Sequence, residues 1–402
     1  MFKSLNFKVI LFGFIFTFFS SFGQSFFLGL FNSSIRDALS ITHGQFGSIY
    51  ASATLLSSFI LVWIGKKIDD VNILKFSSFV IILLASSCFI FSKISSIIFL
   101  FFAIFLMRLS GQGLMSHTAT TTISRYFDRS RGKALSTTWL GLSFAEFILP
   151  LFIVFLLSII EWRNIWISIS IIVILILPFA SYFLVKNVNL ESREVSSKAK
   201  VFEKEIKQWK RIEVLKDYRF YIICMNMLAM PWIATGTFVY QSYISTSKEW
   251  GPYIIAQSFM VYSVLSVITL FFSGFLIDKF SSRKLLIFMN IPLLLSAFVL
   301  YYFNNPISSF IFLGLIGVSN GLANVLGSAT WAEIYGVRYI GSIKALTTAL
   351  MVFSTAFGTA LFGILIDKGF SIEQIALVSA TYISIAIIAL FSVKNKLDPH
   401  YI

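Results

Sequence analysis

The chain has 402 residues, of which 57% are hydrophobic and only 12% charged, with a mean hydropathy of +0.85. That leaves too little polar surface to cover a soluble globule. The formal net charge of +14 is explained below by the placement of bases about a bilayer, and gives no reason to invoke nucleic acid. Cys88 and Cys224 lie far apart without metal-ligand spacing and read as packed thiols, which leaves the redox compartment open.

A membrane-crossing helix needs roughly 20 mainly apolar residues, because its backbone must bond within itself in lipid. The first such run covers 8–31. It contains Ser20, Ser21 and Gln24 and no small-x-small cleavage site, so it reads as a retained helix rather than a signal peptide. Thr17, Ser20, Ser21 and Gln24 share one face. The second run, 44–64, ends in Gly65-Lys66-Lys67-Ile68-Asp69, and the third covers 73–92. The fourth, 96–118, carries Arg108-Leu109-Ser110-Gly111-Gln112-Gly113. His117 lies about 180° around that helix from Arg108 and reads as packed. Ser124-Arg125-Tyr126-Phe127-Asp128-Arg129-Ser130-Arg131-Gly132-Lys133 follows. The fifth run, 134–159, places Glu146 inside Gly141-Leu142-Ser143-Phe144-Ala145-Glu146-Phe147-Ile148-Leu149-Pro150, and the sixth covers 163–185.

The stretch 186–218 is rich in Lys and Arg and divides a bundle at 1–185 from a second at 219–402. It reads either as a surface amphipathic helix touching anionic headgroups or as a solvated spacer. The seventh run, 219–243, sets Asn226, Thr237, Tyr240 and Gln241 along one side. Pro231 and Gly236 can bend or break it. The eighth, 252–275, leads into Gly274-Phe275-Leu276-Ile277-Asp278-Lys279-Phe280-Ser281-Ser282-Arg283-Lys284. Runs at 284–303 and 307–328 follow, the latter aligning Gly317, Asn320, Asn324 and Trp331, and the last two cover 345–366 and 372–393.

The two halves repeat. Gly65-x3-Asp69 recurs as Gly274-x3-Asp278 at an offset of 209, and Ala134-Leu135-Ser136-Thr137 as Ala345-Leu346-Thr347-Thr348 at 211. Arg129 faces Arg338 at 209 and Lys133 faces Lys344 at 211. The expected fold is an all-α polytopic membrane protein with twelve transmembrane helices in two pseudo-symmetric six-helix bundles. With the N-terminus cytoplasmic, 26 bases fall on one side and 5 on the other, with Arg108 alone inside a helix. Both termini are therefore expected in the cytoplasm, and the protein in a bacterial inner membrane.

A glycine one turn before a helix end lets another backbone approach, and an aspartate four residues on can pair with a base or a helix terminus. Here the chain resembles the major facilitator superfamily, whose signature loop between helices 2 and 3 reads G-x-x-x-D-R/K-x-G-R-R/K, with a weaker copy between helices 8 and 9. The second copy is the fuller one, keeping Lys279, Arg283 and Lys284, while the first has Asp70 and Asn72 where a base and a glycine are usual. The Arg108 segment resembles the family's R-x-x-Q-G-x-G element, with Gly111 and Gln112 out of the usual register. Arg125 to Leu135 resembles its R-Y/W-F-x-x-x-R-G-x-A-L loop. Helix 5 lacks the G-P-x-x-G of many drug/proton antiporters. The Gly-Gln-Gly and loop segments are similar to the monocarboxylate and oxalate–formate branch. Helix 8, however, has no arginine and helix 11 no mid-span lysine, residues that branch often uses for its anion.

The resemblance implies a secondary transporter with helices 1, 4, 7 and 10 about a central cavity. Its solute-binding set here is Arg108, Gln112, Gln24, Asn226, Tyr240, Gln241, Asn320 and Asn324. Gly65, Asp69, Arg125, Arg129, Gly274, Asp278, Arg283 and Lys284 would form a conformational latch. Arg108 and Glu146 each lie about 12 residues into oppositely running helices, roughly 18 Å deep. Charges at that depth are costly and are functional candidates by default. One reading is a structural ion pair. The other has Arg108 bind an anionic solute while Glu146 exchanges a proton, since burial disfavours a carboxylate's charged form. Their repeat counterparts are Gly317 and Phe357, so the fold does not require them.

The expected function is alternating-access transport of a small anionic organic solute coupled to protons, with drug or metabolite efflux as the alternative. No nucleotide-binding G-x-x-x-x-G-K-S/T loop, H-E-x-x-H or G-x-S-x-G is present, and a sensor would carry an added soluble domain. An enzyme is therefore not expected, nor a cofactor or metal. The expected partners are a small solute and the lipid bilayer, with the chain a monomer.

Overall fold

The computed structural model describes residues 4–127, 131–186, 188 and 207–398. Among them every regular element is helical, and twelve helices are long and apolar enough to cross a membrane. These are α1 (Asn6–Gly23), α2 (His43–Asp69), α3 (Ile73–Ser92), α4 (Ile97–Tyr126), α5 (Gly132–Leu157) and α6 (Trp162–Val185). They continue with α7 (Tyr218–Val239), α8 (Pro252–Ile277), α9 (Ser282–Tyr302), α10 (Pro306–Tyr335), α11 (Ile340–Asp367) and α12 (Ile372–Lys396). The chain is thus an integral membrane protein. Local signals set many starts: Thr42 and Gln45 form a capping box at α2, as do Ser371 and Gln374 at α12. Asn72, Ser96 and Asn305 cap α3, α4 and α10.

Helix ends depart from the apolar runs where backbone bonding continues into polar sequence. α4 extends past residue 118 through Thr120, Thr121, Thr122 and Ser124 to Tyr126, and α10 past residue 328 to Tyr335. Hydropathy marks what lipid can cover, while the helix stops only where its hydrogen bonds stop. The run at 8–31 is not one helix. Gln24 is extended, at φ −81° and ψ 153°, and short helices resume at Ser25–Leu28 and Asn32–Leu39. α7 is interrupted at Leu228, three residues before Pro231, which lacks an N–H and crowds the Met227 carbonyl. It breaks again at Tyr240, before a final helix Gln241–Ser247.

The chain divides into two compact units. The first comprises α1 to α6 together with Phe238–Tyr243. Those six residues are fixed by side chains of the unit: Asn32 Nδ2 donates to Val239 O at 2.8 Å, and Tyr240 Oη to His43 O at 2.9 Å. Gln241 Nε2 donates to Phe26 O at 2.7 Å. Phe27, Phe31 and Phe91 surround the buried Trp166, with ring centroids 4.4–5.5 Å away. Ser87 and Ser110 join α3 to α4 at 3.1 Å, and Ser170 joins α6 to Ala85 O of α3 at 2.7 Å.

α5 lies on α1 so closely that a Cβ added at Gly141 would sit 2.0 Å from Phe14 O and 2.4 Å from Thr17 Oγ1. Gly141→Ala is therefore expected to push these helices apart and to destabilise the fold by about 1–3 kcal/mol. Gly274→Ala, with nothing within 4 Å of the new Cβ, should be close to neutral. Equal melting temperatures for the two variants in detergent would show that the α1–α5 contact yields freely.

The second unit holds most of α7 and all of α8 to α12. Gly317 of α10 meets the Tyr262 carbonyl of α8, and Ser258 bonds Ser309 at 2.8 Å. Its core joins Phe220, Leu326, Trp331, Tyr335, Ile343, Leu390 and Leu397. Two charged clusters are folded into it. Asp217 and Arg219 pair at 2.8 Å with both side chains buried, and Tyr335 donates to the same carboxylate at 3.1 Å. Arg219 also donates to Lys396 O at 2.8 Å and Asp398 O at 3.3 Å. The fully buried Lys248 ammonium reaches Glu373 at 2.7 Å and Asn304 Oδ1 at 2.8 Å.

Candidate functional site

Arg108 is buried in the first unit, at the head of a π-helical stretch of α4, Arg108–Met115. Glycines bring the break in α1 against this stretch. A Cβ on Gly23 would lie 2.3 Å from Met107 O and 2.4 Å from the Gln112 backbone nitrogen, and one on Gly111 would lie 2.6 Å from Gly23 N. A wider helical turn at such a place is a common accompaniment of function. With α1 this near, Arg108 Nη1 donates to Gly23 O at 3.1 Å and Ser25 Oγ at 3.3 Å. Its guanidinium lies 5.3 Å from the ring centre of Tyr50, whose hydroxyl donates to Ser25 Oγ at 3.0 Å. Arg108 Nε is buried without a hydrogen-bond partner.

Among the described residues Arg108 has no carboxylate at ion-pair distance, and Glu146 has neither an ion pair nor a hydrogen bond. The two are not joined to each other. Glu146 is half-buried, about 160° around α5 from the exposed Phe144 and Ile148. A neutral carbonyl, a hydroxyl and a ring face stabilise a guanidinium only in part. An anion could complete the cation's shell through the free Nε–H.

Gln24 and Gln112 are half-buried beside this position, Gln24 forming the α1 break itself. The other amides expected to meet a solute are engaged elsewhere. Asn226 is fully buried and ties α7 to α9, donating to Leu286 O at 3.2 Å and accepting from Asn290 at 3.0 Å. Tyr240 and Gln241 are buried and donate to backbone carbonyls of the first unit. Asn320 donates to Ser266 of α8 at 2.9 Å, so its part of the α10 stripe faces a neighbouring helix of the same unit. Asn324 is exposed one turn on. A stripe of amides serves helix-to-helix bonding as well as it serves a solute.

The latch residues divide in the same way. Asp69 pairs with Arg125, which also donates to Ile68 O at 3.3 Å, and His117 Nε2 lies 3.0 Å from Gly65 O. Gly65 thus serves a close approach, whereas Gly274 faces open space. Arg129 and the side chain of Asp278 lie outside the described residues. Arg283 pairs with Glu333 of α10 at 3.0 Å and with Asp398 at 2.6 Å, and Glu333 also accepts from Ser282 N at 2.9 Å. Lys284 is exposed. Sequence reading missed Glu333, Asp398, Tyr50 and Ser25; only Glu333, an acid at a helix end near the signature loop, left a visible trace.

The family model described as Major Facilitator Superfamily matches residues 13–345 and 221–400. The chain belongs to that superfamily. No curated protein matches it in sequence. Solved structures match it across almost its whole length. A bacterial homolog to the human lysosomal transporter Spinster, in an inward-facing and occupied conformation, has a TM-score of 0.72 at 13% identity, covering 98% of this chain and 96% of its own. The nucleoside transporter NupG has a TM-score of 0.69 at 13% identity, covering 97% and 99%. At such identities the likeness fixes the fold. This superfamily member is a transporter rather than an enzyme.

Proposed function

We propose that the protein is a secondary transporter that carries a small organic anion with a proton by alternating access, Arg108 holding the anion and Glu146 the proton. The observation that carries this reading is the buried Arg108 guanidinium, without a carboxylate partner among the described residues. A charge held at membrane depth costs several kcal/mol unless paired or hydrated, so a site built around one favours an anion that arrives and leaves. Resemblance to the monocarboxylate and oxalate–formate branch supports the same solute class. The 26-to-5 distribution of bases supports cytoplasmic termini and an inner-membrane location. We assign the Asp69–Arg125 pair, and Arg283 with Glu333 in the second unit, the role of steadying one conformation through loop ends.

The test is flux in proteoliposomes, offering organic acids under an imposed pH gradient. Wild type should accumulate an acid saturably. Glu146→Gln, which mimics the protonated carboxyl, should lose gradient-driven accumulation while exchanging labelled solute at a rate close to wild type. Undiminished accumulation by Glu146→Gln would remove its proton role, and no saturable flux of any anion would remove the solute class.

A further inference from the structure

The basic segment before α7 ends in a short helix, Arg211–Lys216, whose Val214 is fully buried in the core of the second unit. Ile212 and Lys216 lie about 160° around the helix from that anchor, with Arg211 and Leu215 beside them. Ile212 is 69% exposed, and Lys210, Arg211, Leu215 and Lys216 are exposed as well. Tyr218 and Tyr221, in the first turns of α7, present outward too, as tyrosines do at the headgroup level of a bilayer.

Both described acids of this segment are turned to other work. Glu213 accepts from Lys210 N at 2.7 Å and pairs with Lys207 at 3.2 Å. The Lys210 backbone N–H, then the Lys207 ammonium, hold its carboxyl below the usual carboxylate range. Asp217 is engaged with Arg219. Lys210, Arg211 and Lys216 are left with no carboxylate at ion-pair distance among the described residues. A solvated spacer accounts for Arg211, Lys216 and a Lys210 that Glu213 meets only beyond ion-pair distance, but not for exposed Ile212 and Leu215 set among them at the start of a membrane span.

We propose that Lys210, Arg211, Ile212, Leu215 and Lys216 form a binding site for the headgroup of an anionic phospholipid. The bases take the phosphate, and the first acyl methylenes cover Ile212 and Leu215. The ligand is a lipid rather than a free phosphate because bases and apolar side chains share one outward face. That combination matches a molecule charged at one end and apolar at the other.

Native mass spectrometry of the full chain, released from micelles holding equal phosphatidylglycerol and phosphatidylcholine, tests this. Wild type should retain phosphatidylglycerol in preference. Each base removed should lower that retention about fivefold, so Lys210→Gln/Arg211→Gln/Lys216→Gln should lower it on the order of 100-fold, with phosphatidylcholine unchanged. Ile212→Asn, which keeps the bases, should weaken retention of both lipids. Melting in lipid-free detergent checks the fold of each variant. If the triple variant unfolds, Arg211→Gln is read alone for its fivefold loss. Equal retention of the two lipids by wild type, or an unchanged preference in the base variants, overturns the proposal. Displacement by glycerol phosphate at matched concentration also overturns it, by reducing the site to one for free phosphate.

Discussion

Arg108→Lys is expected to weaken apparent affinity for the transported anion by roughly ten- to a hundredfold, with little loss of folded protein. Lysine keeps the charge but not the planar fork that gives a carboxylate two parallel hydrogen bonds, and one charge-assisted bond is worth about 1.5–3 kcal/mol. The single lysine nitrogen also cannot donate to Gly23 O as Arg108 Nη1 does and leave a second nitrogen for the solute. Since Arg108 and Glu146 each lack an ion-pair partner among the described residues, the losses in Arg108→Gln and Glu146→Gln should add in the double variant. A buried pair would behave otherwise, each single change stranding a charge that the second removes. Equilibrium binding and proteoliposome uptake of the two singles and the double decide between these. Recovery of folded yield and transport together in the double variant would rule out the assigned roles.

Asp217→Ala is expected to destabilise the second unit by about 3–5 kcal/mol, because it strands the buried Arg219 charge and frees the Tyr335 hydroxyl. Asp69→Asn breaks a pair whose side chains are 49% and 33% exposed, Asp69 and Arg125 respectively, and should cost no more than about 1 kcal/mol. Thermal unfolding of both variants in one detergent supplies the comparison. Asp217→Ala/Arg219→Met, which removes both charges and keeps apolar bulk, should regain much of the loss. If Asp217→Ala melts with Asp69→Asn, the Asp217–Arg219 pair is not what holds the start of α7.

Twelve helices were legible because each apolar run is long and bounded by bases or turn residues, signals a one-dimensional chain displays directly. The break at Gln24 was not. Nothing in Ser20-Ser21-Phe22-Gly23-Gln24 separates a polar stripe from an unwound turn, and what decides it is the close approach of Gly111 from α4. Arg108 and Glu146 stood out as charges inside apolar runs. Tyr50 and Ser25 did not, since a tyrosine and a serine on helices are ordinary until a guanidinium is found between them. For Asn226 and Asn320 it is the partners Asn290 and Ser266 that the chain does not display. Their spacing shows which face they share, but not which neighbour that face meets. The Asp217–Arg219 pair lay in plain view as two nearby charges, and only the burial around it distinguishes it from a solvated loop.

The docking of residues 396–398 bears on how the protein is made. Leu397 is buried in the core of the second unit, and Arg219 at its opening reaches the carbonyls of Lys396 and Asp398. Arg219 and Lys396 are 177 residues apart in the chain. At about 5–20 residues per second of synthesis, the wait between making the first and meeting the second is on the order of 10–35 s. Through that interval the start of α7 holds a buried ion pair with its lid missing. The start of α7 is therefore exposed to quality-control proteases until the last residues of its core are made. Nascent chains stalled short of residue 396 should be cleaved near α7 far faster than those stalled beyond residue 398.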